Sequence, residues 1–166
     1  MKCITLIGMP GSGKSTIGVL LAKMLGLAFV DTDIVIQTRE GALLQDVLDS
    51  HGIEEFLDIE GNAICSLDYP TGALIAPGGS CISRDWAMQH LKEMGKVVYI
   101  KLPYEVIEPR ITNIDTRGIA FRPGETLKDL YDYRTPLYEK YADVVVETEG
   151  LTLEESAAAI LKALLP

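Results

Sequence analysis

Gly8-Met9-Pro10-Gly11-Ser12-Gly13-Lys14-Ser15 has the residue types and spacing of a loop that holds phosphate, G-x-x-x-x-G-K-[ST]. Glycines let backbone N–H groups curl around a phosphate without Cβ interference, and a helix N-terminus adds partial positive charge. Lys14 would reach the β- and γ-phosphates of a nucleoside triphosphate, and the Ser15 hydroxyl would ligate Mg²⁺. An ordinary tight turn is the competing reading. The flanks decide between them. An apolar run, Cys3-Ile4-Thr5-Leu6-Ile7, precedes the loop, and a helical pattern, Ile17, Leu20, Leu21, Met24 and Leu25, follows it.

A second group is Asp31-Thr32-Asp33, at the end of the short apolar run Leu27-Ala28-Phe29-Val30. Side chains alternate along an extended segment, so the two carboxylates are expected to point the same way, at the strand end where α/β sheets bind ligands. One could hold Mg²⁺ through water while the other takes a proton from a substrate hydroxyl. As a competing reading, an Asp or the Thr of this group would cap a helix starting near Ile34. The phosphate loop upstream favours a role in the site. A third group, Pro77-Gly78-Gly79-Ser80, is a glycine-rich turn after the strand Ala73-Leu74-Ile75-Ala76, suited to close approach of a ligand. Arg117 and Arg122 stand in the non-periodic stretch from Asn113 to Glu125, expected to be a mobile lid at about 113–125.

The positioning elements follow from the pattern. Strands are expected at 3–7, 27–30, 73–76, 97–102 and 144–146, alternating with helices. The helical pieces are 34–50 broken at Gly41, then 53–68, 84–94, 104–112, 126–141 and 152–164. On the piece 53–68, Ile53, Phe56, Leu57, Glu60, Ile64 and Leu67 fall near one face. Trp86 reads as core packing, Pro136 predicts a kink or break, and Thr152 with Glu155 forms a capping-box pattern. Nearly all-apolar strands between helices mean a parallel sheet covered on both faces.

With 166 residues, 48% hydrophobic and 23% charged, the chain fits one globular domain spanning 1–166. A net charge of −9 argues against nucleic acid or an anionic membrane as partner. It leaves a nucleotide possible, because a phosphate loop supplies its field locally. Cys3, Cys65 and Cys81 show no metal or disulfide spacing and read as buried small hydrophobes. No apolar run approaches the ~18 residues of a membrane span, and the first residues already read as strand. A cytoplasmic monomer is expected.

Together these pieces resemble the shikimate kinase family from residue 1 to about 148. The resemblance rests on Gly8-x-x-Gly11-x-Gly13-Lys14-Ser15-Thr16-Ile17-Gly18, Asp31-Thr32-Asp33, Phe56-x-x-x-Glu60, Gly78-Gly79, Arg117, Arg134-x-Pro136-Leu137-Tyr138 and Ala142-Asp143. It implies a five-stranded parallel α/β fold of the P-loop NTPase type, and ATP- and Mg²⁺-dependent phosphorylation of a small hydroxy acid. It further implies that Gly11, Ser12, Gly13, Lys14, Ser15 and Thr16 hold the phosphates, with Ser15 and Asp31 serving the metal. Asp33 is then the base, Gly78 and Gly79 touch the acceptor, and Arg110 stacks near the adenine. Arg117 closes over the phosphates, and Arg134 pairs with the acceptor carboxylate. Lys14, Asp33 and Arg117 form the catalytic set.

Two departures stand on the acceptor side. Leu57 occupies the position of an arginine that helps clamp shikimate's carboxylate, and Ser80 replaces the third glycine of a Gly-Gly-Gly turn. The lid reads Arg117-Gly118-Ile119-Ala120 instead of arginine-proline-leucine-leucine. Arg39 or Arg84 could supply a replacement cation. Shikimate is the expected acceptor; homoserine, a sugar acid, or a non-catalytic ATP-binding module are the alternatives.

Overall fold

A computed structural model of the chain describes residues 3–112 and 117–165. Five parallel strands form one sheet in the order β2-β3-β1-β4-β5. They are β1 (Cys3–Ile7), β2 (Ala28–Asp31), β3 (Ala73–Ala76), β4 (Gly95–Lys101) and β5 (Val144–Glu147). Parallel pairing needs a crossover after each strand, and helices supply them. These are α1 (Lys14–Leu25), α2 (Thr32–Glu40), α3 (Leu44–His51), α4 (Ile53–Cys65), α5 (Asp85–Met94), α6 (Tyr104–Ile107), α7 (Leu127–Tyr141) and α8 (Leu153–Leu164).

The three central strands are buried on both faces, and side-chain alternation divides their residues between two cores. Ile7, Ile75, Val97 and Tyr99 face one way with Met88, Leu91 and Tyr138. Leu6, Leu74, Val98 and Ile100 face the other with Ile17, Leu21, Ala157 and Ile160. The cover thins at the edges of the sheet. Strand β5 has one neighbour, and Val145 is 47% exposed while Val146 is buried. A third apolar cluster joins Ile36, Leu44, Val47, Leu48, Phe56 and Leu57 to Ala120, and so ties α2–α4 to the far side of the expected lid.

Local chemistry sets the boundaries. Gly26 and Gly41 end α1 and α2 in the left-handed conformation, and capping boxes at Thr126/Asp129 and Thr152/Glu155 start α7 and α8. Helix α2 begins at Thr32, so the extended run stops at Asp31 and the expected strand-like alternation of Asp31 and Asp33 does not apply. Pro136 causes no break. Helix α7 is continuous, with Pro136 on its exposed side, where a carbonyl left without its N–H partner can meet water. The expected helix at 104–112 is one α-turn followed by a 3₁₀ turn, Glu108–Arg110. Trp86 is 43% exposed, its ring lying over Gly61 where any larger residue on α4 would collide. Cys65 is exposed, unlike Cys3 and Cys81. Residues 113–116 of the expected lid lie outside the described residues.

Candidate active site

A cavity of about 370 Å³ opens where β1, β2 and β3 end, the edge at which parallel α/β sheets bind ligands. Lys14, Arg110, Arg117 and Arg134 line it, against two carboxylates, Asp33 and Glu60. The local field is therefore positive although the whole chain carries −9.

The loop after β1 builds the first wall. Gly8, Gly11 and Gly13 have φ of 152°, 79° and 91°, a region open to glycine and strained for other residues. A Cβ on Gly8 would sit 2.8 Å from the Ile100 carbonyl oxygen, so the turn demands glycine sterically as well. Lys14 is buried at the start of α1, and its Nζ donates to the Gly8 and Met9 carbonyls at 2.8 Å each. Burial pulls its pKa down to about 8, the neighbouring Arg134 and Arg117 acting the same way against Cys81 and Asp33. Gly11, Gly13, Ser15 and Thr16 line the cavity. Ser12 does not: its side chain lies under the loop, 3.5 Å from Lys14 Nζ, and its amide donates to the Met9 carbonyl. Arg110 reaches over from the 3₁₀ turn and donates to the Gly11 carbonyl at 3.2 Å.

Asp31 has the two roles that the sequence set against each other. Its Oδ1 accepts from the Asp33 amide and caps α2, while its Oδ2 accepts from Ser15 Oγ at 3.1 Å. Asp33, two residues further on, faces the cavity. Burial, then the charge of Asp31, pushes its pKa up to about 6 in spite of Lys14 and Arg117. A carboxylate poised near neutrality can accept a proton.

The turn after β3 forms the floor. A Cβ on Gly79 would lie 2.9 Å from Arg134 Nη1 and 3.0 Å from Pro10 Cδ, so two walls close on that residue. A Cβ on Gly78 would lie 2.8 Å from Glu60 Oε1 and 3.1 Å from Asp33 Oδ1. Arg134 is 3% exposed on the inner side of α7. Four residues on, Tyr138 donates from its hydroxyl to the Gly79 carbonyl at 2.6 Å and stacks on Tyr99 with centroids 5.1 Å apart. This brace fixes the turn to α7. Arg117 lines the cavity beside Gly118, whose amide donates to Gln45 Oε1 at 3.0 Å and whose left-handed backbone packs on Leu44.

Leu57 is 4% exposed in the third apolar cluster, bordering a small void of about 20 Å³ that Arg134 also touches. The proposed substitutes for its missing charge are elsewhere. Arg39 donates to Ser66 Oγ, and Arg84 pairs with Glu54 and Asp58 on the surface. Two contributors stood in the sequence only as parts of motifs, without a role in the site: Glu60, a buried carboxylate, and Tyr138. For Glu60 a signal existed, a lone acid on the apolar face of α4.

Ser15 and Asp31 offer two hard oxygen donors side by side at the mouth of the phosphate loop. Among the described residues no three His, Cys, Asp or Glu side chains gather to hold a metal. That donor set fits Mg²⁺, which takes one or two protein oxygens and completes its shell with phosphate and water.

The family model described as shikimate kinase matches residues 10–165. The shikimate kinase of Thermodesulfovibrio yellowstonii is 39% identical over 164 residues, 98% of this chain and 94% of that protein. The crystal structure of shikimate kinase from Aquifex aeolicus matches with a TM-score of 0.84 at 33% identity, covering 97% of this chain and 95% of that one. Shikimate kinase from Acinetobacter baumannii in complex with shikimate matches with a TM-score of 0.86 at 30% identity, covering 98% and 92%. With the loop, the paired aspartates and the buried arginine at one sheet edge, the chain belongs to the shikimate kinase family.

Proposed function

We infer that this chain transfers the γ-phosphoryl group of ATP to a hydroxyl of shikimate, acting as one cytoplasmic domain over residues 1–166 and as a monomer. The observation that carries the reading is the convergence of Lys14, Asp33 and Arg134 on one cavity. A nucleotide-binding module without catalysis has no use for a base and a carboxylate receptor on the side away from the phosphate loop.

In this reading the backbone of Gly11, Ser12 and Gly13, with Ser15 and Thr16, holds the phosphates, and Lys14 neutralises charge as it passes to the leaving group. Ser15 and Asp31 would hold Mg²⁺, which supplies further neutralisation of the β- and γ-phosphates. Arg134 binds the acceptor's carboxylate and, with Gly78 and Gly79, aims the hydroxyl at the phosphorus. Asp33 takes the hydroxyl proton as the new O–P bond forms and the bond to the ADP oxygen breaks. Arg110 lies against the adenine. Arg117, at the cavity rim, stabilises the transferring group, and closure of the segment around 113–125 excludes water that would compete as acceptor. Supporting the reading, the charges of Asp33, Arg134 and Arg117 all act on Lys14, and those of Lys14 and Arg117 act on Asp33.

Leu57 favours one second reading, a relative that phosphorylates another small hydroxy acid. The apolar cluster around it leaves Arg134 without the companion that the resemblance implies. ADP formation with Mg²⁺-ATP, measured against shikimate, homoserine and other small hydroxy acids, separates the two. Saturable turnover of shikimate is expected. Turnover of another acceptor alone would replace the substrate, and ADP release that no acceptor stimulates would overturn the kinase reading.

A further inference from the structure

We propose that Ser80 and Glu60 form a pair that reads a second hydroxyl of the acceptor. Ser80 holds one carboxylate oxygen of Glu60, and the other accepts from the hydroxyl next to the one phosphorylated. The proposal rests on the reading of the site as an acceptor kinase and adds a selectivity rule to it: polyhydroxylated acids are preferred over acids bearing one hydroxyl.

Glu60 is 2% exposed, in the cavity wall one turn beyond Phe56. Its Oε2 accepts from Ser80 Oγ at 2.5 Å. Its Oε1 is buried and has no hydrogen-bond partner among the described residues. A buried acceptor left unpaired is costly, and native proteins keep few of them. This one has a direction. Oε1 and Asp33 Oδ1 flank the same face of Gly78, the residue on which a side chain would touch both. An acceptor that presents one hydroxyl to Asp33 across this glycine brings the substituent on the adjacent carbon to Glu60.

Ser80 is the residue that makes the pair. It is 7% exposed at the head of the 3₁₀ turn Cys81–Ser83, at a position where the resemblance has glycine, which has no hydroxyl to donate. The hydroxyl does two things. It fixes the carboxylate's rotation, and it favours the ionised form, the form with lone pairs free to accept. Other groups around Glu60 are Asp33 from α2, Lys14 from the phosphate loop, Arg134 from α7, and the Cys81 thiol beside Ser80. Burial raises its pKa most, to about 7, Asp33 adding to the rise while Ser80, Arg134 and Lys14 oppose it.

Ser80→Ala, Ser80→Thr and Glu60→Gln are compared with the wild type in steady-state kinetics with shikimate across about pH 5.5–8.5. Ser80→Ala is expected to raise KM for shikimate about tenfold, the loss of one hydrogen bond to a charged group, while kcat and KM for ATP hold. Without the donor Glu60 ionises at higher pH, so the acidic limb of kcat/KM should move upward. In Glu60→Gln the contribution of Glu60 to that limb should vanish. Ser80→Thr keeps the hydroxyl and should restore both readouts. A shikimate analogue lacking the adjacent hydroxyl should bind the wild type and Ser80→Ala equally. Unmoved KM and limb in Ser80→Ala, or Ser80→Thr as impaired as Ser80→Ala, overturns the pair while wild-type turnover stands. A wild type that neither binds nor phosphorylates shikimate overturns the functional reading and this inference with it.

Discussion

Replacing Glu60 with glutamine should change how stability depends on pH, by an amount that the structure allows to be worked out. A buried carboxyl ionises reluctantly, and Glu60 is pushed from an ordinary 4.5 to about 7, chiefly by burial. Below about pH 4.5 the group is protonated in both folded and unfolded chains, and its contribution is fully present. Between 4.5 and 7 the unfolded chain releases the proton while the folded chain keeps it, so stability falls as pH rises. Above about 7 the contribution is lost. At roughly 1.4 kcal/mol per pH unit the span amounts to on the order of 3 kcal/mol. Glutamine has no proton to release and escapes the effect. Urea unfolding of wild type and Glu60→Gln at several pH values between about 4 and 8 gives the difference directly. Asp33 titrates in the same direction in both proteins and cancels from the comparison to first order. The wild type should lose ground to the variant by on the order of 3 kcal/mol across the range. Parallel curves would show that Glu60 is not a carboxylate ionising under burial, and the argument from its isolation would fail.

Lys14→Ala should lower kcat/KM by more than about a hundredfold with every acceptor, because it acts on the shared phosphate donor; persistent turnover in the ADP assay would remove its role. Arg134→Ala should cost roughly 2–5 kcal/mol in acceptor binding, read as a raised KM for shikimate with KM for ATP unchanged. Leu57→Arg places a charge into the cluster of Ile36, Val47 and Phe56 beside a void of about 20 Å³, too small for a guanidinium. A loss of roughly 3 kcal/mol in stability without gain in shikimate KM is expected, and an improved KM would show that the position can still serve as a clamp. Gly61→Ala should destabilise by roughly 1–3 kcal/mol against the Trp86 ring, and adding Trp86→Ala should recover most of it in thermal melts.

The nucleotide half of the site could be read from the chain because it is contiguous. Gly8 to Ser15 carry their own geometry, and the flanking apolar runs identify strand and helix without help from distant residues. The acceptor half depends on long-range packing. Asp31 and Asp33 were visible as a pair, but Asp31 caps α2, and the extended reading of the segment set that cap aside as a rival to a role in the site. Glu60 stood out as a charge on an apolar face, yet only the fold shows Ser80 against it, twenty residues away. Trp86 misled because it is ranked by average behaviour, and here the large ring lies half-exposed over Gly61. Pro136 sits on the wet side of an unbroken helix whose inner side is held by Arg134 and Tyr138.

The order of the strands bears on how such a protein can be altered. Strand β3 lies between β1 and β2, so the turn at its end stands directly beside the phosphate loop, although some seventy residues separate the paired positions Ile4 and Leu74. The residues proposed to meet the acceptor, from Asp33 through Glu60 to Ser80, lie on one unbroken stretch of chain that follows the phosphate loop. From outside it borrows Arg134, with Tyr138 bracing its turn and Arg117 facing it from the cavity rim. That stretch is a cassette. It can be exchanged between relatives as a unit, with the loop that handles ATP left as it is and the two arginines kept as fixed sockets.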